Sequence, residues 1–166
     1  MLAWGTFGFN YVGLLFWLAI QIPNIMWARH KPFGYDPIGE NRVFLVLERM
    51  GQVICTASIL ILTNTIPTGW NAWLSWFICA VALMLVYEAY WVRYFRGDRS
   101  LDTFYRRFLG VPLPGATLPV VAFLFLGIYG RLLPLIIGTI ILGIGHIGIH
   151  QQHFAKLNRT ANGAWK

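Results

Sequence analysis

Charge is scarce in this chain, and acidic charge scarcer still. Six Asp and Glu stand against thirteen Lys and Arg in 166 residues, so charged residues make up 11% and the net charge is +7. Soluble domains carry about 25% charged residues, and a chain this poor in them, with 57% apolar residues, falls outside that class. The two cysteines, Cys55 and Cys79, form no Cys-x-x-Cys pair, which excludes a disulfide scaffold and a dithiol redox motif. No glycine-rich phosphate loop is present, which argues against nucleotide chemistry. Too little chain lies outside the apolar runs to build a nucleic-acid-binding module, despite the positive charge. No segment alternates polar and apolar residues over about ten positions, as the strands of a membrane barrel do. A basic region before the first apolar run is also missing. Gln21, Pro23 and Asn24 stand where a small-residue cleavage site belongs, so that run is expected to be a span and not a cleaved signal peptide.

What the chain does have is long apolar runs. Four approach or exceed the roughly 20 residues that cross a bilayer, and a fifth does so once its polar insertions are accepted. They cover residues 9–28, 44–64, 70–94, 112–129 and 132–151. Inside hydrocarbon a backbone must satisfy its own hydrogen bonds, so each run is expected to be a helix. The predicted fold is all-α: a single integral membrane domain forming a five-helix bundle.

Basic residues orient it, because short loops rich in Lys and Arg stay in the cytoplasm. Arg29, Lys31, Arg42 and Arg49 lie around the first loop, Arg93, Arg96, Arg99, Arg106 and Arg107 follow the third span, and Lys156, Arg159 and Lys166 end the chain. With five spans all of these fall on one face and only Arg131 on the other. The reading therefore places the N-terminus outside and the C-terminus in the cytoplasm of a cell-membrane protein. Trp4, Phe7, Trp70, Trp73 and Trp76 would sit at the outer boundary and Trp27, Tyr90, Trp91 and Tyr94 at the inner one, as interfacial anchors. The five arginines of the 93–107 loop, interleaved with aromatic residues, are expected to lie on anionic lipid headgroups.

Ionisable groups at membrane depth cost about 3 kcal/mol each on insertion scales and ask for a reason. Glu48, Glu88, His146 and His150 all fall within about 10 Å of the inner boundary at 1.5 Å rise per residue. His146, His150 and His153, at steps of four and three, share one helix face. The polar side chains Gln21, Asn24, Arg49, Gln52 and Tyr87 reach the same depth. Glu48, Glu88 and His146 are the candidate catalytic groups, suited to general acid/base work. Gln21, Asn24, Arg49, Gln52 and Tyr87 are the candidate ligand-binding groups, and His146, His150 and His153 the candidate ligands of a divalent metal, the one cofactor considered. The competing readings are proton or anion handling, ion pairs of Glu48 or Glu88 with Arg49 or Arg93 that pin helices, and a plain interhelical hydrogen bond from His146. Gly138, Gly143, Gly145 and Gly148 let neighbouring backbones come close, and Gly145 and Gly148 flank the histidine stripe. The turn-rich first loop, residues 30–39, is expected to fold over the cytoplasmic mouth.

Three functions fit. One is an embedded binding protein or enzyme with an inner-leaflet site for a lipid-soluble ligand or metal. Another is a subunit, homo-oligomeric or in a larger complex, whose polar groups are glue. The third is a small transporter or channel, disfavoured because five spans cannot be halved into repeats and the outer half offers few polar groups beyond Asn10, Tyr11 and residues 64–68.

Overall fold

A computed structural model describes residues 2–163; Lys166, counted above among the basic residues of the tail, lies outside them. The described chain is helical with no strands. Its helices are α1 (Tyr11–Arg29), α2 (Arg42–Ile61), α3 (Leu74–Arg96), α4 (Leu101–Tyr105), α5 (Pro114–Tyr129) and α6 (Leu133–Gly163), with a 3-10 turn at Thr63–Thr65. Helices α1, α2, α3 and residues Leu133–Arg159 of α6 are long and apolar enough to cross a membrane, and α5 is a shorter apolar helix. Leu15, Ile22, Val46, Val53, Leu85 and Ile140 are exposed on the outer surface of the bundle, as lipid-facing side chains are. These features are compatible with a membrane protein.

Four predicted runs match their helices within a few residues, and the differences have physical causes. Helix α6 continues twelve residues past the apolar run, because hydropathy marks where lipid ends while the polar stretch from Gln152 to Asn162 holds no proline or glycine to stop a helix. Helix α5 has only 16 residues, about 24 Å at 1.5 Å per residue. Leu118, Ala122 and Leu126 are buried where α5 packs between α3 and α6. Helix α4 lies inside the basic loop and starts at Ser100, whose hydroxyl accepts the Thr103 N–H.

Helix α2 packs along α6, α6 against α5, and α5 against α3; α1 meets α2 and α3 only sparsely. The α2–α6 contact is close because Gly51 and Gly145 leave room for backbone: a Cβ on Gly51 would lie 2.4 Å from Leu142 N, and one on Gly145 2.4 Å from Glu48 N. Helix α1 is held at its first turns. Asn10 is fully buried there; its side-chain amide donates to Leu62 O and Thr65 Oγ1 and its carbonyl oxygen accepts the Gly13 N–H. Gly13 sits against Ile59, and Val12 and Phe16 are buried, but after Phe16 the only buried α1 residue is Pro23. Helix α1 thus packs most tightly at the end that carries the N-terminus, and toward the basic end it is held by the Asn24–Tyr87 hydrogen bond and by Trp27 stacked on Phe104 at 5.3 Å.

The basic end is built differently from the sequence expectation. Tyr90, Trp91 and Tyr94 are not interfacial anchors but buried core, packed around Phe104 of α4. The Arg93 guanidinium donates to the carbonyls of Thr103, Arg106 and Arg107 and covers the Phe108 ring at 4.8 Å. Arg106 pairs with Asp102. Three of the five arginines assigned to lipid headgroups, Arg93, Arg99 and Arg106, thus have protein partners, and Arg93 folds the loop onto α3. At the other end Trp4, Phe7 and Trp70 are exposed, as interfacial aromatics would be.

Candidate functional site

Between the basic half of α1 and the wall formed by α2, α5 and α6 lies a cavity of about 670 Å³. Its polar lining comes from helical stripes. Helix α1 supplies Gln21 and Asn24, α2 supplies Glu48, Arg49 and Gln52, α3 supplies the Tyr87 hydroxyl, and α6 supplies His146 and His150. Aromatic side chains of Trp17, Trp27, Phe104 and Phe123 complete the walls. Of the candidate site residues, the fold gathers all but two around this space. Glu88 is off the wall, half-buried on α3 with Oε1 lacking a hydrogen-bond partner, and His153 lies below the cavity.

The central feature is a pair. His146 Nδ1 lies 2.5 Å from Glu48 Oε1, with both side chains largely buried. Gly145 makes this possible, because the α2 backbone reaches α6 there at Glu48 itself. A carboxylate on Nδ1 fixes the imidazole's orientation and leaves Nε2 as the nitrogen available to a ligand. On the α1 side, the Asn24 amide donates to Ile20 O and to the Tyr87 hydroxyl at 3.0 Å, linking α1 to α3. Deeper in the bundle Cys55 touches Thr139 Oγ1 at 3.5 Å, a packing contact inside the core.

The first loop floors the cavity, as its turn-rich sequence suggested. Lys31, Tyr35, Pro37 and Glu40 line it from below. Three ties hold this floor to α6: Glu40 Oε1 with His153 Nε2 at 2.7 Å, Asp36 with Lys156 Nζ at 2.9 Å, and Asn41 N–H with Gln152 Oε1 at 3.2 Å. The Tyr35 ring stacks on His153 at 5.0 Å and meets Trp27 edge-on at 4.8 Å. Burial and the nearby Glu40 and Glu48 carboxylates push the Tyr35 phenol up from 10.0 to about 12. The Ile38 N–H and the Lys156 ammonium hold the exposed Asp36 carboxyl below its ordinary range.

Sequence reasoning missed Glu40. It stands in a loop without periodicity, and only the regular stripe of histidines on the facing helix hinted that an acidic partner was needed. Its pairing also answers the metal expectation. Glu48 takes His146, Glu40 takes His153, and His150 is left between them, 4.6 Å ring to ring from His146 and beside Phe104 and Tyr105. Among the described residues no three His, Cys, Asp or Glu side chains gather into a metal-binding group. The histidines of the His-x-x-x-His-x-x-His spacing are thus not gathered into one ligand set among the described residues. No family model, curated protein or solved structure matches the chain.

Proposed function

We propose that this chain is a five-span membrane protein, N-terminus outside and C-terminus cytoplasmic, that binds a lipid-soluble ligand with a polar head in its inner-leaflet cavity. The observation that carries this reading is the Glu48–His146 pair on the wall of a space of about 670 Å³, a size within the range of small-molecule sites. A carboxylate placed at membrane depth is costly and asks for a role, and Gln21, Asn24 and Gln52 add amides around the same space. Apolar walls with a few convergent polar groups are how such sites fix a ligand's orientation. The pair also offers chemistry: with Nδ1 held by Glu48, the His146 Nε2 can take a proton from the ligand's head or return one. Arg49 stands at the cavity's edge and Tyr87 at its back. Glu88 takes no part.

The test is to purify the full chain in mild detergent and identify by mass spectrometry what co-purifies. A lipophilic molecule retained by the wild type and reduced at least tenfold in Glu48→Ala and His146→Ala, with thermal unfolding still cooperative in both, is the expected result. Retention of the same molecules by all three proteins would remove the site from consideration.

A further inference from the structure

Resting on that reading, we infer that the ligand is a single-chain lipid alcohol and that it enters the cavity sideways from the bilayer, through the gap between α1 and α2. Size comes first. At the roughly 30 Å³ a water takes up in the liquid, a cavity of about 670 Å³ holds about twenty non-hydrogen atoms. One chain with a compact head can therefore be enclosed whole, whereas a diacyl phospholipid, at about fifty such atoms, would leave more than half of itself outside.

The head's chemistry follows from the lining. The cations Lys31 and Arg49 line the space together with the carboxylates Glu40 and Glu48, which His153 and His146 already engage. The lining charges thus balance, and a neutral head disturbs none of these pairings, whereas a carboxylate head would meet both acids on reaching for either cation. A cationic head would have to displace His146 from Glu48, or share the cavity with Lys31, whose ammonium lies 5.6 Å from the Tyr35 ring. A hydroxyl conflicts with none of these. It donates to the His146 nitrogen that Glu48 leaves free and accepts from a side-chain amide of Gln52 or Gln21.

The route follows from how α1 is held. Helix α1 is fastened to α2 near Gly13 and Ile59, and it is tied to α3 further along by the Asn24–Tyr87 hydrogen bond. Below the cavity the first loop is tied to α6 by three contacts. The remaining side is the one between the basic halves of α1 and α2, and its α2 edge carries the exposed polar side chains of Arg49 and Gln52. Such side chains facing acyl chains are costly, whereas they suit the passage of a hydroxyl head at the depth where headgroups meet hydrocarbon.

The experiment uses the full-length chain with Cys55→Ala and Cys79→Ala, reconstituted in phosphatidylcholine vesicles. A diazirine-bearing hexadecanol is the probe, beside the matching fatty acid, alkyl trimethylammonium and diacyl phosphatidylcholine probes. Labelled residues are mapped by mass spectrometry. In the same background, Ala28→Cys on α1 and Leu45→Cys on α2 are bridged by a short bis-maleimide to close the gap, and the unbridged protein is the folded control. The alcohol is expected to label cavity residues such as Trp17 and Gln52 at least fivefold above the other three probes, and to lose at least tenfold on bridging. Equal labelling with and without the bridge overturns the sideways entry. Cavity labelling led by the acid, the ammonium or the two-chain lipid overturns the alcohol assignment while leaving a binding cavity in place. If no probe labels the cavity, the binding reading itself falls.

Discussion

At the scale of single residues, the site depends on who holds whom. Asn10 anchors α1 with three hydrogen bonds, all of them buried. Removing its side chain leaves Leu62 O, Thr65 Oγ1 and Gly13 N without partners, at a cost of about 1 kcal/mol or more for each such group. Asn10→Ala is therefore expected to lower stability by about 3 kcal/mol in a thermal or denaturant unfolding measurement in detergent. Tyr35 gives a second, independent readout. Burial and the neighbouring Glu40 and Glu48 carboxylates push its phenol up from 10.0 to about 12, so the folded state resists the charged form. The stability this contributes is present below pH 10 and lost as pH rises toward 12. An ultraviolet difference titration of the wild type against Tyr35→Phe should show this tyrosinate emerging only near pH 12; emergence near pH 10 would show that the phenol is not enclosed against Glu40 and Glu48. For Asp36 the sign reverses: its tie to Lys156 is present above the ordinary carboxyl range and lost as pH falls below it. The pairing of Glu48 with His146 was open to the sequence as a coincidence of depth. The pairing of Glu40 with His153 was not, because a loop residue has no periodicity from which depth or facing can be read.

Among the elements, α1 and α4 carry the most consequence. Helix α1 crosses α2 so closely at Gly13 that an added Cβ would lie 1.7 Å from the Ile59 carbonyl oxygen, a backbone atom that cannot rotate away. Gly13→Ala should cost about 2 kcal/mol, as overpacking does, and should loosen α1 enough to raise the reactivity of a cysteine placed at Ala28. Unchanged stability and reactivity would show that α1 is not pinned there. Helix α4 is held by Arg93, whose planar fork reaches three carbonyls at once. Arg93→Ala, and equally Arg93→Lys, which lacks that fork, should make the segment from Gly97 to Val111 cleavable by trypsin in conditions where the wild type resists. The long helices were legible from hydropathy because lipid imposes one requirement on each of them. Helix α4 was not, since five residues hold too little pattern, and an arginine that caps a loop looks in the sequence like one that waits for a phosphate.

For the whole molecule, the prediction concerns which side of a membrane each loop occupies. Single cysteines at Asp36 and Asp98 should react with an impermeant maleimide only after the cells are opened, and cysteines at Thr68 and Arg131 should react in intact cells. The reverse pattern inverts the proposed orientation, and a Thr68 and Arg131 on opposite sides would mean that α5, 16 residues long, does not cross. The overall order of packing was hidden from the sequence. Depth along each helix can be counted, but rotation and neighbour cannot, and nothing in a linear reading sets α2 beside α6 except the glycines that permit it. That neighbourhood has a consequence for the chain's synthesis. Glu48 and His146 are 98 residues apart, so at about 5–20 residues per second the carboxylate emerges roughly 5–20 s before the imidazole that receives it. For that interval α2 carries an unclaimed acid and the open notch at Gly51. The seam between the second and sixth helices can therefore close only after nearly the whole chain has been made.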